Sequence, residues 1–170
     1  MRISAAMLIV AVAGCAAQDP LVASYGPERQ YTLKTGRWLR DAALADPPEL
    51  PGKYSALEGG QLVTVVSGDQ DVVVFARKEE GTEIRVWLAL RGDEIVDGVM
   101  WVREFGGETV WYVGSGPKGT VRVTRREGRD LEGDLNVTFE GRRETPRSGV
   151  TGPLVFRAKG AFEAEAPAPK

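Results

Sequence analysis

The sequence predicts an all-β domain, a single antiparallel meander of about eight strands with one short N-terminal helix. Short runs rich in Val, Ile, Thr and Trp recur along most of the chain, and Gly, Asp and Lys separate them as turn residues do. Nearly every gap is short enough for a hairpin, and successive hairpins make neighbouring strands antiparallel. We expect a closed barrel or a strongly curled sheet, because closure removes exposed edges. A two-sheet sandwich is the alternative.

The elements are expected in the following order. A helix-like stretch covers 35–46, where Leu39, Ala42 and Ala43 recur at helical spacing and Pro47 ends the pattern. The segment 141–151 predicts a longer exposed loop. Strands are expected near 61–66, 71–77, 82–90, 96–105, 108–114, 119–126, 130–140 and 152–163.

Turn positions predict which side chains share the inner face. A two-residue turn at 106–107 would pair Trp101 with Tyr112, and the preceding hairpin would place Ile84 beside Trp101. In the hairpin around Gly128, Val121 would face Leu135 on one side of the sheet, and Arg122 would meet Asp134 on the other. If the interior is hollow, it would hold a small apolar ligand. The side chains expected to line it are Ile84, Val86, Val99, Trp101, Tyr112, Leu135, Phe139 and Phe156.

The opposite face of the same strands is also apolar. It carries Val72, Val74, Trp87 and Trp111, whereas a solvated sheet face is normally polar. We expect the chain's own segment 31–58 to cover this face, and a protein or an apolar ligand is the alternative occupant. The expected registers separate Trp101 from the other two tryptophans, which favours packing over a sugar-stacking platform.

The N-terminus has the three parts of an export signal. Arg2 precedes an apolar run from Ala5 to Ala13, which is too short to span a bilayer. The run ends in Val12-Ala13-Gly14-Cys15, which resembles the lipobox of bacterial lipoproteins. This resemblance covers only the first fifteen residues. It implies a diacylglyceryl group on the Cys15 thiol, cleavage before Cys15 and acylation, for example with palmitate, of the new amino group.

These features predict four segments. Residues 1–14 are a lipoprotein signal peptide, 15–30 a lipidated tether, 31–163 the β-domain and 164–170 a disordered tail. A flexible tether of that length would hold the domain roughly 20 Å from the membrane. By the enterobacterial sorting rule, Ala16 after the cysteine implies the outer membrane, with the domain facing the periplasm.

Composition excludes several classes of chemistry. The chain has no histidine, and Cys15 is its one cysteine, so Ser-His-Asp and Cys-His catalysis, Cys/His zinc sites and disulfides are excluded. Acidic residues slightly outnumber basic ones, 24 to 22, without the basic stripe of a nucleic-acid binder. The Gly114–Thr120 segment lacks the order of a phosphate-binding loop. No cofactor or metal site is predicted.

The expected function is therefore that of a non-enzymatic, lipid-anchored envelope protein with a binding or structural β-domain. A lipocalin-like carrier of a small apolar ligand is the alternative. A hydrolase that uses only carboxylates is a remote third hypothesis, since no spacing of acidic residues indicates a catalytic pair.

Overall fold

The computed structural model describes residues 19–26, 29–42, 70–145, 147 and 149–168. Every regular element in these residues is a β-strand, and the strands belong to one sheet, so the predicted all-β class is confirmed and the sandwich is not what forms. The strands are β1 (Val22–Tyr25), β2 (Arg29–Thr32), β3 (Gly36–Ala42), β4 (Gln70–Glu79), β5 (Thr82–Arg91), β6 (Glu94–Gly106), β7 (Glu108–Glu127), β8 (Asp130–Thr145) and β9 (Gly149–Glu165).

Strands β3 to β9 form a meander whose two ends meet. Each strand pairs antiparallel with the next, and β9 also pairs with β3. Direction alternates along a meander, so the first and seventh strands of this run point the same way. Their pair must therefore be parallel, as it is. The hydrogen bonds thus form a ring of seven strands.

The closing seam is short. In the described residues it consists of Gly36 paired with Ala164 and Arg37 paired with Glu165. The rest of this edge of β9 is taken by β1, whose Val22–Tyr25 pairs with 156–159, and β2 pairs on the outer side of β1. An unpaired strand edge exposes backbone donors and acceptors. The N-terminal hairpin therefore protects the part of β9 that β3 does not reach.

Side chains alternate between the two faces of the ring. The inner face forms the main core, in which Trp38, Phe75, Val86, Phe139 and Phe156 are all fully buried. A second buried group, here named the outer cluster, lies on the outer face of β4 to β7. Its members are Val72, Val74, Trp87, Ala89, Val99, Trp101 and Val113, with Leu39, Val96 and Trp111 packed against it.

Two phenylalanine rings pack directly on the backbone of glycines in the sheet. A Cβ on Gly114 or Gly141 would lie 2.6 or 2.5 Å from the ring of Phe156, and one on Gly133 would lie 2.8 Å from the ring of Phe162. Gly114 and Gly141 are register partners on β7 and β8. The missing side chains let the rings lie on the backbone, which allows the sheet to curl while the core stays filled.

Two sequence predictions are corrected at the N-terminal side. Gly36–Ala42 is strand β3 instead of helix, and the rest of the predicted helix, 43–46, lies outside the described residues, as does the predicted strand 61–66. The predicted tether 15–30 contains β1 and the start of β2. Tertiary pairing with β9 and β4 overrides the weak local pattern of these segments.

Two corrections concern the C-terminal half. The strands predicted at 108–114 and 119–126 are one continuous strand, β7, with an irregularity between Ser115 and Lys118. The predicted loop 141–151 is mostly strand, because β8 continues to Thr145 and β9 begins at Gly149. Strand β9 also extends to Glu165, into the predicted tail.

Two small irregularities reverse the predicted face of β6. Gly106 pairs with Glu108, so Gly107 alone turns the chain, and Val102 instead of Trp101 faces Tyr112. On the other side of β6, a bulge at 95–97 shifts the register against β5. A one-residue slip moves every side chain of a strand to the other face. The hairpin around Gly128 keeps its predicted pairs of Val121 with Leu135 and Arg122 with Asp134.

The glycine contacts predict a contrast between two Gly→Ala variants. A Cβ at Gly141 would lie 2.0 Å from the carbonyl oxygen of Val113, whereas a Cβ at Gly106 meets nothing within 4 Å. We expect Gly141→Ala to lower the free energy of unfolding by about 1–3 kcal/mol, as overpacking does, and Gly106→Ala to leave it nearly unchanged. Urea unfolding of both variants measures this. Equal stabilities would contradict the packing argument.

Candidate functional site

The eight residues predicted to line a ligand cavity lie on both faces of the ring. Five of them, Ile84, Val86, Leu135, Phe139 and Phe156, lie in the main core, and Tyr112 packs against it partly buried. The prediction is wrong for Val99 and Trp101, which the shifted register of β6 places in the outer cluster. No ligand is present, so ligand binding by the other six stays a prediction.

The interior of the ring is filled with side chains. Val86 and Phe156 have no accessible surface, Ile84 and Phe139 have 1% each, and Leu135 has 3%. A hollow large enough for water or ligand would leave accessible surface on the side chains that line it. These values instead fit close-packed protein interiors. These five core side chains therefore line no open cavity.

A groove lies on the outer face of β1, β7, β8 and β9. Its volume is about 1010 Å³. Its lining is mixed. The inward alternation of Phe156, Ala158 and Phe162 turns the charged residues between them outward. Pro20, Val22 and Ala161 add apolar surface beside them. Its lining residues are Asp19, Pro20, Val22, Ser24, Gln30, Thr120, Arg122, Asp134, Leu135, Asn136, Arg157, Lys159, Gly160 and Ala161.

The centre of the groove holds two cations two positions apart on β9. Arg157 pairs in register with Ser24 on one side and Thr138 on the other. Lys159 pairs with Val22 and Asn136 in the same way. Both side chains are exposed, and the described part of the chain supplies neither with an ion pair. Two free positive charges are thus flanked by uncharged side chains.

The neighbouring cations of this outer face are neutralised instead. Arg122 donates a hydrogen bond of 2.7 Å to Asp134, which raises the pKa of the Arg122 guanidinium. Lys118 donates one of 2.6 Å to Glu140 and lowers the pKa of that carboxyl. The carboxylate of Asp19, at the rim, makes no ion pair in the described residues and partly offsets the two free cations. The groove therefore carries a small positive excess centred on β9.

A second polar arrangement closes one end of the ring. The Tyr25 hydroxyl donates a 2.6 Å hydrogen bond to the carboxylate of Glu104, and Tyr112 donates to the same carboxylate at 3.3 Å. Arg29 forms an ion pair with Glu104. Burial, followed by the hydrogen bond with Tyr31, raises the pKa of the Tyr25 hydroxyl well above its ordinary value. These partners occupy most of the hydrogen-bonding positions of the Glu104 carboxylate. The carboxylate therefore has few positions left with which to bind a substrate.

The outer cluster brings together the three tryptophans of β5, β6 and β7. The prediction that Trp101 lies apart from Trp87 and Trp111 is wrong, since the rings of Trp101 and Trp111 are 5.6 Å apart in an edge-to-face arrangement. Trp87 and Trp101 are nevertheless only 2% and 4% exposed. The face predicted to receive a partner is thus already shielded, and the partner itself stays a prediction.

The expected cover of that face is corrected in part. Residues 31–42 belong to β2, to β3 and to the link between them. Leu39 packs against the outer cluster as part of the same sheet, whereas Trp38 lies in the main core. The remainder of the segment 31–58 lies outside the described residues.

Metal-binding groups and membrane-spanning helices are both absent from the described part of the chain. Within the described ranges, no three acidic, histidine or cysteine side chains come close enough to hold a metal ion. The same part of the chain contains no helix with the length and apolar character needed to cross a bilayer. Cys15, the predicted site of lipidation, lies outside the described residues.

Sequence reasoning missed the groove, and one signal could have found it. Phe156, Ala158, Phe162 and Ala164 alternate with polar residues in the predicted last strand, so Arg157 and Lys159 had to share its solvent face. The contribution of 19–24 carried no such signal, because this stretch has no clear alternation of its own.

The end cluster predicts that Tyr25→Phe destabilises the fold. The variant loses a hydrogen bond to a charged group, and we expect the free energy of unfolding at pH 7 to fall by about 1.5–3 kcal/mol. Tyr31→Phe should cost less, since its hydroxyl lies 3.5 Å from that of Tyr25. Urea unfolding of both variants measures the difference, and equal losses would contradict it.

The raised pKa also fixes the sign of the pH dependence. Tyr25 keeps its proton in the folded state above pH 10, where an unfolded tyrosine loses it. The unfolded state then binds fewer protons, so this contribution to stability is complete below about pH 10 and declines as the pH rises further. The difference in free energy of unfolding between wild type and Tyr25→Phe should therefore become smaller as the pH rises above about 10.

Comparison with known proteins adds no assignment to this geometry. No family model matches the chain, and neither the curated proteins nor the solved structures yield a match. Function must therefore be inferred from the filled core, the outer groove and the N-terminal sequence themselves.

Proposed function

We propose that the protein is a lipid-anchored envelope protein whose β-domain acts without catalysis, by binding at its outer surface. The observation that carries this proposal is the filled main core, in which Val86, Phe139 and Phe156 have at most 1% exposure. A ring filled in this way is a rigid scaffold. Its alternating strands present polar side chains outward, and the groove with Arg157 and Lys159 is the part of that surface suited to recognition.

The anchor is supported by the N-terminal sequence. Arg2, the apolar run and Val12-Ala13-Gly14-Cys15 supply the three parts of a lipoprotein signal. Acylation at both the thiol and the new amino group gives durable attachment, whereas a single chain gives marginal attachment. The domain is proposed to lie at the outer membrane, facing the periplasm.

A non-catalytic role is supported by what the acidic groups do. The chain has no histidine, and three of the shielded carboxylates have cationic or phenolic partners. Glu83 binds Arg85 and Arg103, Asp71 binds Arg126, and Glu104 binds Arg29 and two tyrosines. Carboxylates held in this way are poorly placed to act as a general acid and base pair.

The anchor predicts the behaviour of Cys15→Ser. Without the thiol, the lipid transfer and the cleavage that depends on it cannot proceed, so the variant should accumulate as an uncleaved precursor without acyl chains. Intact mass and partition into detergent measure both. Ser24→Ala, a change outside the lipobox, should be processed like wild type. Identical processing of Cys15→Ser and wild type would refute the anchor.

The filled core predicts no uptake of apolar ligands. Long-chain fatty acids should leave tryptophan emission unchanged, because Trp38 is fully buried in a core without space for a chain. Organic extracts of protein purified by gel filtration should likewise contain no free lipid. A saturable change at a one-to-one ratio would instead support the lipocalin-like carrier.

A further inference from the structure

The described chain begins in the groove, very close to the proposed lipid. Asp19 and Pro20 form part of the groove's lining. The amide of Ala161 donates a 2.9 Å hydrogen bond to the carbonyl of Asp19, and Pro20 bridges to Ala161. This fixes residue 19 against the C-terminal third of β9. The part of the predicted tether 15–30 that the structure describes is therefore held against the sheet from residue 19 onward.

Covalent geometry limits how far the groove can stand from the anchor. The backbone from Cys15 to Asp19 spans at most about 14 Å even when fully extended. If Cys15 carries acyl chains, its backbone lies at the boundary of the hydrocarbon. The rim of the groove must then lie in or beside the headgroup layer, since that layer is several Å thick on each side of a bilayer.

The charges of the groove suit such a surface. Arg157 and Lys159 are exposed and free of ion pairs in the described part of the chain, whereas Arg122 and Lys118 are neutralised by Asp134 and Glu140. Two cations about 7 Å apart along a strand can contact phosphates of neighbouring lipids. Uncharged Ser24 and Asn136 beside them can donate hydrogen bonds to phosphate or glycerol oxygens.

We propose that this groove is the membrane-docking face of the domain, and that Arg157 and Lys159 bind the phosphates of anionic phospholipids. The proposal rests on the proposed function, because the lipid on Cys15 brings the groove to the bilayer. Docking fixes the orientation of the ring: β9 faces the membrane, and β5 and β6 face away from it.

The orientation is tested with the full chain, purified in its lipidated form and reconstituted into vesicles. Cys15 is the one native cysteine and its thiol would be blocked by the lipid, so a thiol-reactive fluorophore labels only an introduced cysteine. Ser24→Cys places the label in the groove. Phe105→Cys places it on the outer face of β6, at an exposed position outside the groove.

In vesicles containing phosphatidylglycerol, we expect spin-labelled lipid headgroups to quench the Ser24→Cys label but not the Phe105→Cys label. Equal quenching at the two positions would overturn the proposed orientation. The wild type separates the two proposals: if the fluorophore labels Cys15 itself, the anchor fails, whereas a blocked Cys15 with no preference for the groove refutes docking alone.

The role of the two cations is tested with matched charge removal. The double variant Arg157→Gln/Lys159→Gln should lower the ratio of docked to undocked orientations about 25-fold, at about fivefold for each cation near an anionic surface. Lys78→Gln/Arg147→Gln removes the same charge at exposed positions outside the groove and should change nothing. Purely neutral phosphatidylcholine vesicles should mimic the groove variant. Undiminished docking in that variant would overturn lipid binding by these residues.

Discussion

The short parallel seam between β3 and β9 determines most of the arrangement described above. A meander of seven strands can close only with a parallel pair, and here that pair is limited to two register positions. The edge of β9 from Phe156 to Lys159 would be left open, and the N-terminal hairpin occupies it. The described chain begins beside the same strand, where Asp19 and Pro20 contact Ala161 in the C-terminal third of β9.

The filled core follows from how the ring curls. The ring of Phe156 lies on Gly114 and Gly141, and that of Phe162 on Gly133, so large side chains occupy space that a Cβ would otherwise take. This packing fills the space between the strands and stiffens them. On the outer face, the alternation of β9 turns Arg157 and Lys159 outward, because the positions next to them are apolar and buried.

The sequence was sufficient where local pattern and tertiary contacts agree. Around Gly128, alternating apolar residues and opposite charges specified the pairs of Arg122 with Asp134 and Val121 with Leu135. It was insufficient where one residue decides the register: adjacent glycines at 106–107 allow two turn lengths, and nothing in 94–97 marks the bulge. It also misassigned Gly36–Ala42, whose helical spacing is weak and whose strand form depends on distant partners in β4 and β9. The groove depended on those same distant pairings.

A short covalent link to a lipid would allow a surface with weak affinity for the membrane to orient the domain. Two exposed cations contribute only about 1 kcal/mol each near an anionic leaflet, too little to recruit a free protein. If the proposed lipid on Cys15 holds the domain within about 14 Å of the bilayer, the anchor meets the translational cost of association. The cations then need only select among rotations of the domain. A larger basic patch would be unnecessary for this purpose. The modest positive excess of the groove, with Asp19 at its rim and two neighbouring cations neutralised, is therefore consistent with a surface that orients an anchored domain, whereas recruitment from solution would require more charge.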